Sequence, residues 1–239
     1  MRSLTDGELF EIQQFIERMV QRIEAEGLTV SIDDNLSNFV NHMKGAPDPL
    51  GVSATFDPSK ANVRPDNSFW VPLKTRKGEI VVSHANRVID TNDFFGEIRT
   101  WRMFSRKPRL DWQPIKMYQR SDVPEISGRV VFGGGMWAHP RWRGKSLSGT
   151  LAHFTRSLSL RHFEFDWYVG LMVDNPKVSS YGIEVLGLMH SAPIMAGFYP
   201  GRDKELNIRL LYMARDEVLA KIREENASLS AADTQKLSG

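Results

Sequence analysis

Residues 129–174 constrain this chain most. An apolar run over 129–138, broken by Gly133, Gly134 and Gly135, leads into "AHPRWRGKSLSGTL". Leu147, Leu151, Phe154 and Leu158 then follow at helical spacing to about residue 162, and a second apolar run, "DWYVGLMVD", closes the unit. The period changes from strand to helix and back to strand. Two neighbouring strands joined by a helix are parallel, and their crossover is right-handed. The second run lacks polar alternation, as expected of a strand buried on both faces. Ligands of such units gather at the carboxyl ends of the strands, where the basic turn lies.

The flanking sequence supplies more strands and helices. Residues 5–26 read as a helix with Thr5 or Asp6 as cap, Glu8 near the capping-box position and Gly27 as its stop. A shorter helix is expected near 33–44, then a loop over 46–67. Two β-rich runs flank Arg76, Lys77 and Gly78 and form a hairpin, with Pro72 placing its first strand at an edge or bulge. Residues 92–104 read as a helix capped by Asn92 or Asp93, and 105–128 as irregular. After the central unit, 176–187 is a helix candidate, "LMHSAPIMAGFY" and "LNIRLLYMAR" are strand candidates, and 215–225 is a closing helix. The expected fold is α+β: a central, mixed, twisted β-sheet with helices on both faces and extra N-terminal helices. The expected organisation is an N-terminal helical extension over 1–60 packed on the core, a main domain over 61–225 and a flexible tail over 226–239.

Composition narrows the function. With 31 basic against 29 acidic residues, net charge gives no reason to expect nucleic acid. The absence of cysteine excludes disulfides, thiolate metal sites and a cysteine nucleophile. No apolar run approaches the roughly 18–20 residues of a membrane span, and the first residues lack the apolar segment of a signal peptide, so a cytoplasmic location is expected. No histidine pair has ligand spacing on a helix, so no metal is expected.

The turn at 143–148 has the chemistry of an anion site. A helix starting near Gly144 exposes unpaired N–H groups at the positive end of its dipole. Gly144 removes a side chain at the point of approach, Ser146 and Ser148 add hydroxyl donors, and Arg143 and Lys145 add charge. The dipole contributes only about 0.3–1 kcal/mol, so a ligand must also be held elsewhere. The glycine run suggests a bulge that turns the backbone of Met136, Trp137 and Ala138 toward an extended ligand. A pyrophosphate at one end and an amide-bearing arm at the other describe coenzyme A.

"MWAHPRWRGKSLSGTLAHF" resembles motif A of the GNAT superfamily of acyl-CoA-dependent N-acyltransferases, with Arg143, Gly144, Lys145, Ser146, Leu147 and Ser148 in its six positions. The similarity extends over about 68–214. Ser146 and Ser148 replace the two later glycines of the motif; a helical backbone at both suits serine. The stretch 91–128 is longer than the family's usual connection. The resemblance implies an acetyl-CoA or other acyl-CoA co-substrate held by Met136, Trp137, Ala138, the six motif residues and Asn175, and a small-molecule amine as acceptor. It also implies an N–H near Ala138 as oxyanion donor and Tyr181 as the acid for the leaving thiolate. No general base stands out among His84, His139, His190, Glu97 and Asp174.

The alternative is a catalytically silent acyl-CoA-binding sensor or interaction module. Blander readings stay open too. The basic turn also suits a solvated loop, the glycine run a packing relief, and Trp137, Trp142 and Tyr181 ordinary packing. "WRMFSRKPRLDW" at 101–112 reads as an amphipathic cover over the core or, less simply, as a nucleic-acid contact through Arg102, Arg106, Lys107 and Arg109. The helical pair at 5–44 could cover the core, shape the acceptor pocket or form a homodimer.

Overall fold

The computed structural model describes residues 2–47, 51–107, 116–118, 122–199 and 204–237. The elements run α1 (Asp6–Ala25), β1 (Leu28–Val30), α2 (Leu36–Gly45), a 3-10 turn (Ala54–Phe56), β2 (Ser68–Thr75), β3 (Ile80–Thr91), α3 (Phe94–Arg99) and β4 (Lys116–Met117). They continue with β5 (Gly128–Ala138), a second 3-10 turn (Pro140–Trp142), α4 (Leu147–Phe163), β6 (Trp167–Val173), α5 (Pro176–Ser180), a π-helical turn (Tyr181–Val185), β7 (His190–Tyr199), β8 (Lys204–Ala214) and α6 (Arg215–Leu237). Among the described residues eight strands form one sheet in the order β1-β2-β3-β5-β6-β8-β7-β4. The fold is therefore the α+β arrangement expected, with a mixed central sheet.

Local chemistry explains several boundaries. Thr5 caps α1 reciprocally with Glu8: the Glu8 N–H donates to Thr5 Oγ1, and the Thr5 N–H donates to the Glu8 carboxylate at 2.9 Å. The Asp93 carboxylate accepts the Gly96 N–H at 2.8 Å and starts α3. Gly78, at φ +83°, turns the chain between β2 and β3.

Helices cover both faces. On one side, residues of α1, α4 and α6 pack with Phe69, Val71, Val131, Tyr168 and Met213 of the sheet. On the other, Phe39 of α2, Phe56 of the first 3-10 turn and Phe94 of α3 pack on Trp70, Phe132 and Trp137. α2 and the first 3-10 turn thus wall one face of β5.

The structure corrects several sequence expectations. Of the two places expected for Pro72, the sheet edge is excluded, since β1 pairs with Leu73, Lys74 and Thr75, while the bulge is found next to it, where the register of β2 shifts between Leu73 and Lys74. The closing helix runs to Leu237 rather than ending at 225. β6 is buried over Tyr168, Val169 and Gly170 but only partly over Leu171, Met172 and Val173. Leu158 is partly buried, whereas Leu147, Leu151 and Phe154 are fully packed. Of the 101–112 stretch, Trp101 and Phe104 are core residues, and Arg106 donates to Ala61 O and Pro58 O. That is the cover role; rings so buried offer no stacking platform. Arg109 and Trp112 lie outside the described residues.

Candidate active site

β5 and β6 are parallel, as expected, but they pair only where Val130, Val131 and Phe132 meet Trp167, Tyr168 and Val169. Beyond that point β5 bonds only to β3, and β6 only to β8. The carboxyl halves of the two strands therefore separate, and their facing backbone edges lack a ladder. This separation explains the half-burial of the end of β6.

The bulge lies where the glycines are. Ser83 pairs with Trp137 and Ala85 with Gly134, so Gly135 and Met136 together oppose His84. Gly135 takes φ +62°. Packing needs these glycines as well. A Cβ at Gly133 would lie 2.1 Å from Tyr168 Oη, one at Gly134 3.0 Å from Phe56 Cε2, and one at Gly135 2.5 Å from Phe39 Cζ. The bulge reading and the packing reading of the glycine run thus hold together.

Past the bulge, the His139 N–H bonds to Val81 O at 2.8 Å. Alternation along an antiparallel ladder then turns the Ala138 N–H away from β3, toward the separated edge. Trp137, paired with Ser83, turns its own N–H and C=O toward β3 by the same alternation, and its side chain is 2 % exposed and donates to Pro47 O, so its place there is between the two residues whose backbone faces the separated edge. The Met136 side chain packs against the helical face.

The basic turn differs from expectation at its start. α4 begins at Leu147, after a 3-10 turn, and not near Gly144. Gly144 has φ +79°, and a Cβ there would face open space. Ser146 is left-handed at φ +56°, which corrects the helical backbone expected for it. A non-glycine residue there is strained by about 1–2 kcal/mol. The Ser146 side chain makes no capping bond, and the first helical backbone bond is Thr150 N–H to Ser146 O at 3.1 Å. The amides of Leu147, Ser148 and Gly149 precede that bond and form the positive end of α4. Arg143 Nε donates to Ala138 O at 3.2 Å, tying turn to strand end, and Lys145 Nζ lies 4.4 Å from the Trp142 ring centroid. Leu147 buries its side chain, and Ser148 is half-buried. Asn175 is exposed after β6, its Oδ1 accepting the Lys177 N–H.

Tyr181 begins the π-helical turn, which rests on the start of α4: a Cβ at Gly149 would lie 2.7 Å from Val185 O. The fold thus brings β5, the basic turn, α4 and Tyr181's turn together at the carboxyl ends of the parallel pair.

The base candidates separate. His84 is buried, and its Nδ1 meets Thr155 Oγ1 at 2.7 Å. Burial and the Arg156 cation lower His84 to about 3, so its ring is uncharged at neutral pH. His190 bonds Glu217 at 2.5 Å, away on β7, and Glu97 accepts from Thr91 at the opposite end of the sheet. His139 and Asp174 stand at the ends of β5 and β6; His139 Nδ1 accepts the Arg141 N–H, and Asp174 accepts from Arg209 Nε at 2.9 Å.

His84 also gives a pH prediction. The unfolded chain protonates this ring below about 6.5, while the folded state keeps it neutral down to about 3. Between those values the unfolded state binds the extra proton, so acidification removes stability, by up to about 1.4 kcal/mol per pH unit from this group. Urea titrations from about pH 7 to pH 4.5 are expected to show that loss, and the His84→Gln variant to lack this share of it. Glu8, which Arg2 holds down to about 2, contributes at lower pH, from about 4.5 downward, and is unaffected by the substitution.

A depression of about 690 Å³ opens at the other end of the sheet, lined by Asp90, Asp93, Glu97, Arg102, Arg129 and Asp166 among others. Its carboxylates serve local structure: Asp166 accepts the Arg129 N–H, Asp90 pairs with Arg129, and Asp93 caps α3. Arg156, buried on α4 and bonded to Leu186 O of the turn that Tyr181 begins, is the residue that pattern reading misses. Its only signal is a basic residue four positions from Ala152 and Leu160 on α4.

No family model matches this chain, and no curated protein sequence matches it. Solved structures are similar to it at low identity. Arabidopsis thaliana NAA60 in complex with acetyl-CoA is 11% identical, with a TM-score of 0.47 over 79% of this chain and 99% of that one. A GNAT family acetyltransferase from Elizabethkingia anophelis with acetyl-CoA bound is 13% identical, with a TM-score of 0.41 over 79% and 98%. The ribosomal-protein-S18-alanine N-acetyltransferase from Escherichia coli is 12% identical, with a TM-score of 0.43 over 78% and 93%. Among the described residues no helix is long and apolar enough to cross a membrane, and no group of three His, Asp or Glu side chains is placed to hold a metal ion.

Proposed function

We propose that this chain is an acyl-CoA-dependent N-acyltransferase of the GNAT type, moving an acetyl group from acetyl-CoA to the amine of a small molecule. One observation carries the reading: the unladdered halves of β5 and β6 open beside the free amides at the start of α4. The amides of Leu147, Ser148 and Gly149, with the Gly144 turn and the charges of Arg143 and Lys145, hold the diphosphate. The separated strands take the amide-bearing arm through the backbone of Met136 and Ala138, with Trp137 between them turned to β3, and Asn175 borders the far side.

The thioester carbonyl then lies at the Ala138 N–H, which steadies the oxyanion. The attacking alkyl amine has a pKa near 10.4, so its deprotonation at pH 7 costs roughly 4–5 kcal/mol. His139 and Asp174 stand near enough to the strand ends to share that task. As nitrogen bonds to the acyl carbon and the carbon–sulfur bond breaks, Tyr181 supplies a proton to the thiolate. A thiol pKa near 8.5 makes this mild assistance.

The test is release of free CoA from acetyl-CoA in the presence of small amines, polyamines and short peptides. Turnover with a small amine supports the reading, and turnover with peptides alone moves the acceptor class to proteins. Binding without release from any acceptor instead supports a silent acyl-CoA sensor, a role consistent with the structural partners of every candidate base.

A further inference from the structure

Arg156 lies in the middle of α4, 3 % exposed, and among the described residues it forms no ion pair. A desolvated cation is costly unless other groups hold it in place; Glu225, paired with His153, favours its charge through space without touching it. Its Nη1 donates to Leu186 O at 2.9 Å, and its guanidinium sits 5.7 Å from the Tyr168 ring centroid. Leu186 closes the π-helical turn, and its own N–H returns to Tyr181 O at 3.1 Å. Consecutive hydrogen bonds therefore run from the buried guanidinium to the backbone of Tyr181.

The same turn is held closely elsewhere. A Cβ at Gly182 would lie 2.4 Å from Leu211 Cδ1. Gly187, at φ +67°, leaves room for His153 Nε2 and Arg156 Nη2, which a Cβ would meet at 2.4 and 3.3 Å. Turns of π geometry are uncommon and recur at functional sites. Here a buried cation adds its hydrogen bond to the apolar packing of Leu211 against one.

We infer that Arg156 is a positioning residue: from the buried face of α4 it holds Leu186, and through Leu186 the backbone of Tyr181, beside the start of that helix. The inference rests on the reading of Tyr181 as the acid of the reaction. Arg156 touches neither substrate nor reacting atoms; it acts through the turn.

Arg156→Met tests this, because a long apolar side chain relieves the burial of a charge and forfeits the hydrogen bond to Leu186 O, a change of about 1 kcal/mol. The melting temperature should stay within about 4 °C of the parent, and acetyl-CoA affinity within about threefold. Hydrogen exchange at the Leu186 amide should rise by about tenfold or more, with the Leu160 amide unchanged. Turnover should fall by about tenfold in kcat with little change in KM, and the same substitution in a Tyr181→Phe background should cause no further loss. Arg156→Lys keeps the charge but not the forked donor; it should show the same changes in smaller measure, and it carries the test if the methionine variant does not fold. Unchanged exchange at Leu186, or losses in kcat that multiply independently with Tyr181→Phe, overturns the inference. If the parent protein neither binds acetyl-CoA nor releases CoA, the enzyme reading fails, while the exchange result still decides whether Arg156 fixes the turn.

Discussion

Gly144→Glu is expected to abolish acetyl-CoA binding while leaving the protein folded. A Cβ at Gly144 meets nothing within 4 Å, so the new side chain has room in the ligand-free protein. Its backbone, at φ +79°, costs about 1–2 kcal/mol for a residue other than glycine. The carboxylate then stands where the diphosphate is proposed to lie. Two like charges 4 Å apart at an effective dielectric of 20 repel by about 4 kcal/mol, or about three decades in Kd. Gly144→Ala separates the two effects, since it carries the backbone strain without the charge. Calorimetric titration should give the alanine variant an affinity within about tenfold of the parent, with no measurable binding by the glutamate variant. Equal affinities in all three proteins would remove the turn from the site.

The second large effect falls on stability. Gly133→Ala brings a Cβ to 2.1 Å from Tyr168 Oη and 2.6 Å from Cζ. Tyr168 cannot yield easily: it is 3 % exposed, and its hydroxyl donates to Asn86 Oδ1 at 2.8 Å. Overpacking of this kind costs about 1–3 kcal/mol or more, and the lost hydrogen bond about 1 kcal/mol. A melting temperature lower by about 10 °C is expected. Tyr168→Phe removes the nearest clashing atom, so the double variant should be more stable than the sum of the two single losses allows, by about 1 kcal/mol. Strict additivity would contradict the contact.

The legibility of this chain follows from the range of its interactions. The capping box at Thr5 and Glu8, the cap at Asp93, the hairpin at Gly78 and the strand–turn–helix–strand unit all depend on residues near one another in sequence, and all are readable there. β1 and β4 span three and two residues, too short for a period, and each exists through its partner strand. The start of α4 lies later than local pattern suggests because Ser146 adopts a left-handed backbone that serine does not advertise. The glycine run signals a bulge, yet its demand for space comes from Phe39, Phe56 and Tyr168, residues far away in sequence. Little in the local sequence marks Arg156 for burial. It is buried because α4 lies between the sheet and the helices α1 and α6, so that little of its circumference reaches solvent. Of the candidate site, the basic turn is legible from local sequence, while the hydrogen bonds to Tyr181's turn depend on the tertiary fold.

Amide chemical shifts recorded during titration with acetyl-CoA test the central claim most directly, because the claim concerns particular N–H groups. The largest and earliest changes should fall on Gly144, Leu147, Ser148 and Gly149, with a second set on Met136 and Ala138. Changes confined to the cleft around Asp90, Glu97 and Asp166, or no changes at a saturating concentration, would contradict it.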